Sequence, residues 1–419
     1  MKKLSFLGKK FLLALLLTVT MLFGGTKSLA KPAEKDIKKT PVTRDISFTF
    51  NKAAETYRFA HMPADSLRYP DRNAEDSPKF YTFTKQLHDQ VDSSFITLWQ
   101  NMQTLKTSQT IIGPALAKFS EEADLRYCYA RMPSLLGFWH GTQGVVYVEN
   151  FTYRLSPELQ LIVQAHETLH ALQQYNNLGM APVNRTIYEF QLMQLSKEAA
   201  GWVSEYLVAL ELRERGMDEY WKCVASFDKT RAAEILTTWD NLRAAGVPYA
   251  AALEQTGKVA FYKQFERKEW LEKYNDGFLL NYLRAIDAGL LEPISGQKIG
   301  LNEISKMGYI SPEFNFTAGI DSLPSLGMGI FGGNARMAYA FDCAELWRIK
   351  MTEGMESATY KDLYARMKEL DNNPYVELDM RAVLDVCGNN KLYPLAAMEK
   401  IIKKASKVAP QQKNELTPK

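Results

Sequence analysis

Residues 156 to 175, SPELQLIVQAHETLHALQQY, constrain this chain more than any other stretch. Ser156 is a helix-capping residue, Pro157 suits the first helical position, and Glu158 complements the positive end of a helix. Leu161, Ala165, Leu169 and Leu172 recur at helical spacing and form a core stripe. The spacing therefore predicts a helix with a polar side turned toward a cleft. His166 and His170 stand four apart on that side, so their rings point the same way. Two imidazole nitrogens so placed can bind one Zn²⁺ at ~2.0–2.1 Å. Glu167 lies ~100° further around the axis, close enough to take a proton from water at the metal without being a ligand. His-Glu-x-x-His on a helix thus points to metal-assisted amide hydrolysis, with a solvated polar helix face as the bland alternative.

Such a site needs a third protein ligand. A histidine six residues after His170 is excluded, because Gln173 and Asn176 stand where that variant needs Gly and His. A carboxylate from a following helix is the other common solution. Residues 185 to 215 read as a long helix ending at Gly216, with a core stripe of Leu192, Leu195, Ala199, Val203, Tyr206 and Leu210. Glu198 is the leading candidate on it. Its neighbours Ala199, Ala200 and Gly201 are small, which lets two helices approach closely. Glu205, seven residues on, points almost the same way and suits a partner to a ligating ring; it and Glu189 remain alternative ligands.

QAHETLHALQQ, with EAAGWVSE a helix later and GVVYVEN just before, resembles the zincin metallopeptidases that use a glutamate third ligand. Within them it is similar to uncharacterised bacterial metallopeptidases. The resemblance implies one zinc ion on His166, His170 and Glu198, with Glu167 as general base. It covers about residues 110 to 215. The chain departs from the pattern where an Asp often follows the Glu-Ala pair, having Ala200 and Gly201 instead, and it lacks the Asn-Glu-x-x-Ser-Asp segment of thermolysin-like enzymes. In zincins the strand before the motif helix is a sheet edge that pairs with extended substrate. GVVYVEN is a candidate for that role, an interior strand being the alternative. Tyr147, Tyr175, Tyr188 and His140 are the nearby groups that could donate to a transition state. His140, in FWHGTQG, reads as a loop residue rather than a ligand.

The fold class that follows is mainly α, of α+β type. A zincin-like core carries a small sheet beside the His-Glu-x-x-His helix, and a large helical region follows. Residues 1–30 read as a signal peptide: four lysines in MKKLSFLGKK, the uncharged run FLLALLLTVTMLF, and Ser28 and Ala30 at a small-x-small site. That run is shorter than the ~20 residues of a membrane span, and no later segment is apolar for long enough, so no span is expected after cleavage. Residues 31–45 read as a disordered lead-in, 46–216 as the metallopeptidase domain, 217–407 as the helical C-terminal region and 408–419 as a disordered tail. Short strands are expected at 125–132 and 144–150, and helices at 83–106 and 113–123. Helix breaks are expected near Gly246-Val247-Pro248 and Asn275-Asp276-Gly277, and loops with one hairpin in the Gly-rich segment 291–334.

Charge adds little, at a formal +3 with no basic patch interleaved with aromatics, which excludes nucleic acid as an expected partner. The four cysteines, Cys128, Cys223, Cys343 and Cys387, include no Cys-x-x-Cys pair. An even count in an exported chain suggests disulfides, Cys343 with Cys387 first, against buried free thiols. The expected function is an exported zinc peptidase acting on peptide or protein. The rivals are a non-catalytic helical binding or envelope-assembly protein that keeps a zincin-like fold, and a helical scaffold without metal.

Overall fold

A computed structural model describes residues 47–49, 97–98, 100–132, 135–141, 144–150, 154–178, 185–294, 299–322, 329–370 and 373–414. The expected signal peptide, the lead-in and most of the helix expected at 83–106 lie outside the described residues. Residues 100–107 are helical. In chain order there follow β1 (Ser47–Thr49), α1 (Ile112–Glu122), β2 (Arg126–Ala130), β3 (Gly137–His140), β4 (Val145–Glu149), α2 (Pro157–Tyr175) and α3 (Ile187–Glu214). The C-terminal region holds α4 (Asp218–Phe227), α5 (Lys229–Ala244), α6 (Tyr249–Gln264) and α7 (Lys268–Asp287). Beyond a short α8 (Leu301–Ile304) and a hairpin of β5 (Tyr309–Ser311) with β6 (Phe314–Asn315) come α9 (Ala335–Thr352), α10 (Ala358–Glu369), α11 (Met380–Asn390) and α12 (Pro394–Asn414). The fold is mainly helical with a small sheet, as the sequence pattern implies.

Helix α2 is punctuated as its sequence requires. The Ser156 Oγ accepts the Leu159 N–H at 3.3 Å, Pro157 opens the helix, and Glu158 sits in the first turn. In α3, Thr186 and Glu189 form a capping box in which each side chain accepts the other residue's backbone N–H. The two helices are buried on every side. In α2 each residue from Leu159 to Gln173 is buried, and in α3 each from Glu189 to Leu212. The polar side expected to face a cleft is therefore enclosed: β3, β4, α1, α3, α4 and the strand β5 pack around the helix. A helix enclosed in this way loses the one-sided pattern of a surface helix.

The main sheet has the order β1-β2-β4-β3, with β2 and β4 parallel and the other pairs antiparallel. β4, the GVVYVEN strand, is thus interior, not the edge. Among the described residues the edges are β1 and β3, and β3 lies within the segment read as a loop. Four residues that begin with Gly137 and are followed by Gly141 give too short a pattern to read as a strand. Helix α2 packs across β3 and β4.

Helix α7 runs unbroken through Asn275-Asp276-Gly277. Asn275 is buried; its Nδ2 donates to the Ile330 carbonyl at 2.8 Å and its Oδ1 accepts from Gln191 Nε2. Asp276 accepts the Leu395 N–H at 3.0 Å. Side chains that would compete with the helix backbone are spent on distant partners instead. Helix α12 likewise extends to Asn414, into the tail expected to be unstructured, since a helix already nucleated at Pro394 adds residues at low cost. All four cysteines are free thiols, so the Cys343–Cys387 bridge is not formed. Cys343 Sγ instead donates to the Tyr375 carbonyl at 3.0 Å. One apolar core runs from Leu98 to Met398, across the boundary expected at 216/217. No helix among the described residues is long and apolar enough to cross a membrane.

Candidate metal centre

The i, i+4 spacing on α2 brings the two histidine rings together: His166 Nε2 and His170 Nε2 are 2.9 Å apart. Helix α3 crosses over them at its small residues. A Cβ placed on Gly201 would stand 2.7 Å from His166 Cε1 and Nε2 and 3.1 Å from His170 Cε1, so only glycine leaves the rings their room. One turn before it, Glu198 places Oε1 3.5 Å from His170 Nε2 and Oε2 3.9 Å from His166 Nε2. These three residues form the one group of three or more potential metal ligands among the described residues, with ligand atoms all within 4.8 Å of one another. Two ligands each ~2.0–2.2 Å from a common ion can be at most ~4.4 Å apart; the two imidazole nitrogens meet that limit, as does each ring with its nearer Glu198 oxygen. The donor set of two imidazoles and a carboxylate fits a divalent first-row metal, and Glu198 Oε2 is buried with no hydrogen-bond partner.

Both outer ring nitrogens are tied down. His166 Nδ1 lies 2.5 Å from Glu205 Oε1, and His170 Nδ1 lies 2.9 Å from Gln173 Oε1. Gln173 is held in turn by its Nε2 donating to the Met307 carbonyl at 2.7 Å. Each ring is thereby fixed with Nε2 turned inward. Glu205 thus bonds to the His166 ring. Glu189 is not near the rings: its Oε2 accepts from the Thr186 N–H at 3.0 Å and from the Thr186 hydroxyl, and its Oε1 accepts the Ile299 N–H at 3.1 Å. It is a helix cap that also pins the loop before α8.

Glu167 lies beside this cluster and under the edge strand. A Cβ on Gly137 would stand 2.7 Å from Glu167 Cγ and 2.9 Å from its Oε1. Its Oε2 is buried and unpartnered. Burial raises the Glu167 carboxyl to about 7, the charges of His166 and Lys197 opposing that rise. Glu198 behaves differently: burial opposes its ionisation, but His170, Lys197 and His166 hold it down to about 2. Burial also disfavours a charged His166, yet the Glu205 hydrogen bond and the charges of Glu205, Glu167 and Glu198 push it up to about 9. His170 is drawn down to about 4 by burial and by Lys197. Three carboxylates around two rings thus make a pocket that favours a cation.

Sequence reasoning missed three neighbours of this cluster. Lys197 is buried and electrostatically coupled to Glu198 and Glu167. Tyr274, from α7, is buried, feels the charges of Glu198, Glu205 and Glu167, and accepts from Trp202 Nε1 at 3.3 Å. Gln173 was noted only for not being glycine. The groups named as transition-state donors are elsewhere. Tyr188 donates to Asp342, Tyr175 is exposed at 71%, and Tyr147 belongs to a separate apolar cluster with Cys128 and Phe138. His140 ends β3, where burial lowers its pKa, and it packs edge-on to Phe138 and Tyr147.

The helix pair and the edge strand thus bring a His-Glu-x-x-His segment together with a glutamate from the next helix, a group that could hold a metal ion. Residues 94–296 match the model of a family described as "Putative metallopeptidase family (DUF6782)", a span that takes in every residue of the cluster. No curated protein and no solved structure matches the chain. The resemblance to metallopeptidases read from the motif helix therefore holds, and match and cluster together support a metal-dependent peptidase.

Proposed function

We propose that the chain is an exported zinc peptidase in which His166, His170 and Glu198 hold one zinc ion and Glu167 is the general base. The observation that carries this reading is the meeting of ligand atoms of three buried residues from two helices beside the unpartnered Oε2 of Glu167. His166, His170 and Glu198 would hold the ion, which would supply acidification of a water molecule and polarisation of an amide carbonyl. Glu167 takes the water's proton and returns it to the leaving nitrogen; a carboxyl near 7 is suited to both transfers. Glu205 and Gln173 keep the rings oriented throughout. Pairing of Leu136 with Glu149 turns the N–H and C=O groups of Gly137 and Trp139 to the outer edge of β3. An extended peptide added to that edge would run past Glu167. The N-terminal basic, apolar and small-x-small pattern supports export, with Lys31 as first residue after cleavage.

A non-catalytic protein that keeps this fold is the second reading. It draws on the enclosure of the site, where His166, Glu167, His170 and Glu198 are 1–5% exposed. Glu167→Gln separates the two. The peptidase reading expects hydrolysis of a mixed peptide library to fall by about 10²–10⁴-fold with metal content unchanged. Equal rates in wild type and variant would remove the peptidase and leave the metal site standing.

A further inference from the structure

Behind the metal centre, α3 turns the residue after Glu205 in another direction. Tyr206 is fully buried, and the Arg231 guanidinium, from α5, lies 5.1 Å from the centre of its ring. Arg231 is 5% exposed, and its Nη1 donates to Oε1 of Gln264, a fully buried residue on α6. Arg231 Nη2, Gln264 Nε2 and the Tyr206 hydroxyl have no hydrogen-bond partner. Three polar groups from three helices, on Arg231 and on the two side chains it touches, are thus left unsatisfied where such groups are normally paired.

The charge is unbalanced as well. Among the described residues no carboxylate oxygen lies within 4.0 Å of the Arg231 guanidinium. The two acids coupled to it are committed elsewhere. Asp228 accepts the Arg231 backbone N–H at 3.0 Å through Oδ1 and pairs with Arg267 through Oδ2. Glu205 is bonded to His166. Gln264 has spent its acceptor on Arg231, so the cluster offers donors with little left to accept. A buried cation is expected to have a paired counter-charge.

We propose that Arg231, Gln264 and Tyr206 bind a small monovalent anion, of halide size, between α3, α5 and α6. A water molecule fits less well, because it brings no charge against the guanidinium. A peptide carboxylate has the charge, but side chains 0–5% exposed leave no path for the chain attached to it. The site does not depend on the peptidase reading.

The test uses the purified full chain with bromide and chloride as probes. Crystals grown in bromide and measured at the bromine edge should show an anomalous peak within hydrogen-bonding distance of Arg231 Nη2 and Gln264 Nε2. The melting temperature should rise saturably with chloride or bromide above a gluconate control of equal ionic strength. Arg231→Met should abolish that rise. If it does not fold, Gln264→Leu and Tyr206→Phe should each weaken it several-fold. An ordered water in place of the peak, a peak that persists in Arg231→Met, or a melting shift that follows ionic strength alone would overturn the proposal.

Discussion

Gly201→Ala tests the close approach on which the metal centre depends. In an ordinary helix interior this change stabilises by about 0.5–1 kcal/mol, since alanine gives up less backbone freedom. Here the new Cβ would stand 2.7 Å from His166 Cε1 and Nε2 and 3.1 Å from His170 Cε1, nearer than carbon and nitrogen pack. Overfilling a packed interior typically costs about 1–3 kcal/mol. The sum is a net loss of about 0–2.5 kcal/mol in the metal-free protein. Metal affinity should fall further than stability. The rings can yield only by turning away from Glu205 and Gln173, and loss of such outer partners costs about 10–100-fold in affinity. Denaturant unfolding in the presence of a chelator gives the first quantity, and competition for zinc with a chromophoric chelator gives the second. A variant that is stabilised by the full helix-propensity gain and binds zinc as tightly as wild type would refute the packing argument.

Glu205→Ala leaves the His166 outer nitrogen without its acceptor and should weaken zinc binding about 10–100-fold in the same competition assay. Glu189→Ala should leave binding unchanged and lower stability by about 0.5–2 kcal/mol through the lost cap. Gly137→Ala would set a Cβ 2.4 Å from Val163 Cγ1 and 2.9 Å from Glu167 Oε1, so kcat should drop at least about tenfold with full metal content. A fifth prediction concerns Glu211, which accepts the Ile111 and Ile112 N–H groups at the start of α1 at 2.7 and 3.0 Å. Burial lifts its carboxyl from 4.5 to about 7 against those hydrogen bonds. A raised carboxyl holds its proton more tightly when folded. Its cost is therefore absent below about 4.5, grows as pH rises, and is complete above about 7, reaching about 3 kcal/mol at most. Glu211→Gln should flatten stability against pH across that window relative to wild type, measured by urea unfolding. Parallel curves would contradict the assignment.

The pair of helices that builds the site was readable because its signals are local. Ser156, Pro157 and Glu158 set the start of α2, and a four-residue step places His170 beside His166. The small residues after Glu198 marked where a neighbouring helix could come near, and at Gly201 it does. What was not readable depends on partners far away in the chain. Gln173 is fixed by Met307, Asn275 by Ile330 and Gln191, and Tyr274 enters the cluster from α7. A rule that asparagine and glycine end helices cannot anticipate partners that satisfy the asparagine side chain. The edge strand β3 was hidden by its four-residue length. The enclosure of α2 was hidden because its polar residues serve partners inside the fold.

The most direct test of the account is diffraction from the purified full chain loaded with zinc, recorded on both sides of the zinc absorption edge. The account predicts a single anomalous peak ~2.0–2.2 Å from His166 Nε2, His170 Nε2 and one Glu198 oxygen. Zinc taken up at other residues, or no uptake by the folded protein, would contradict it.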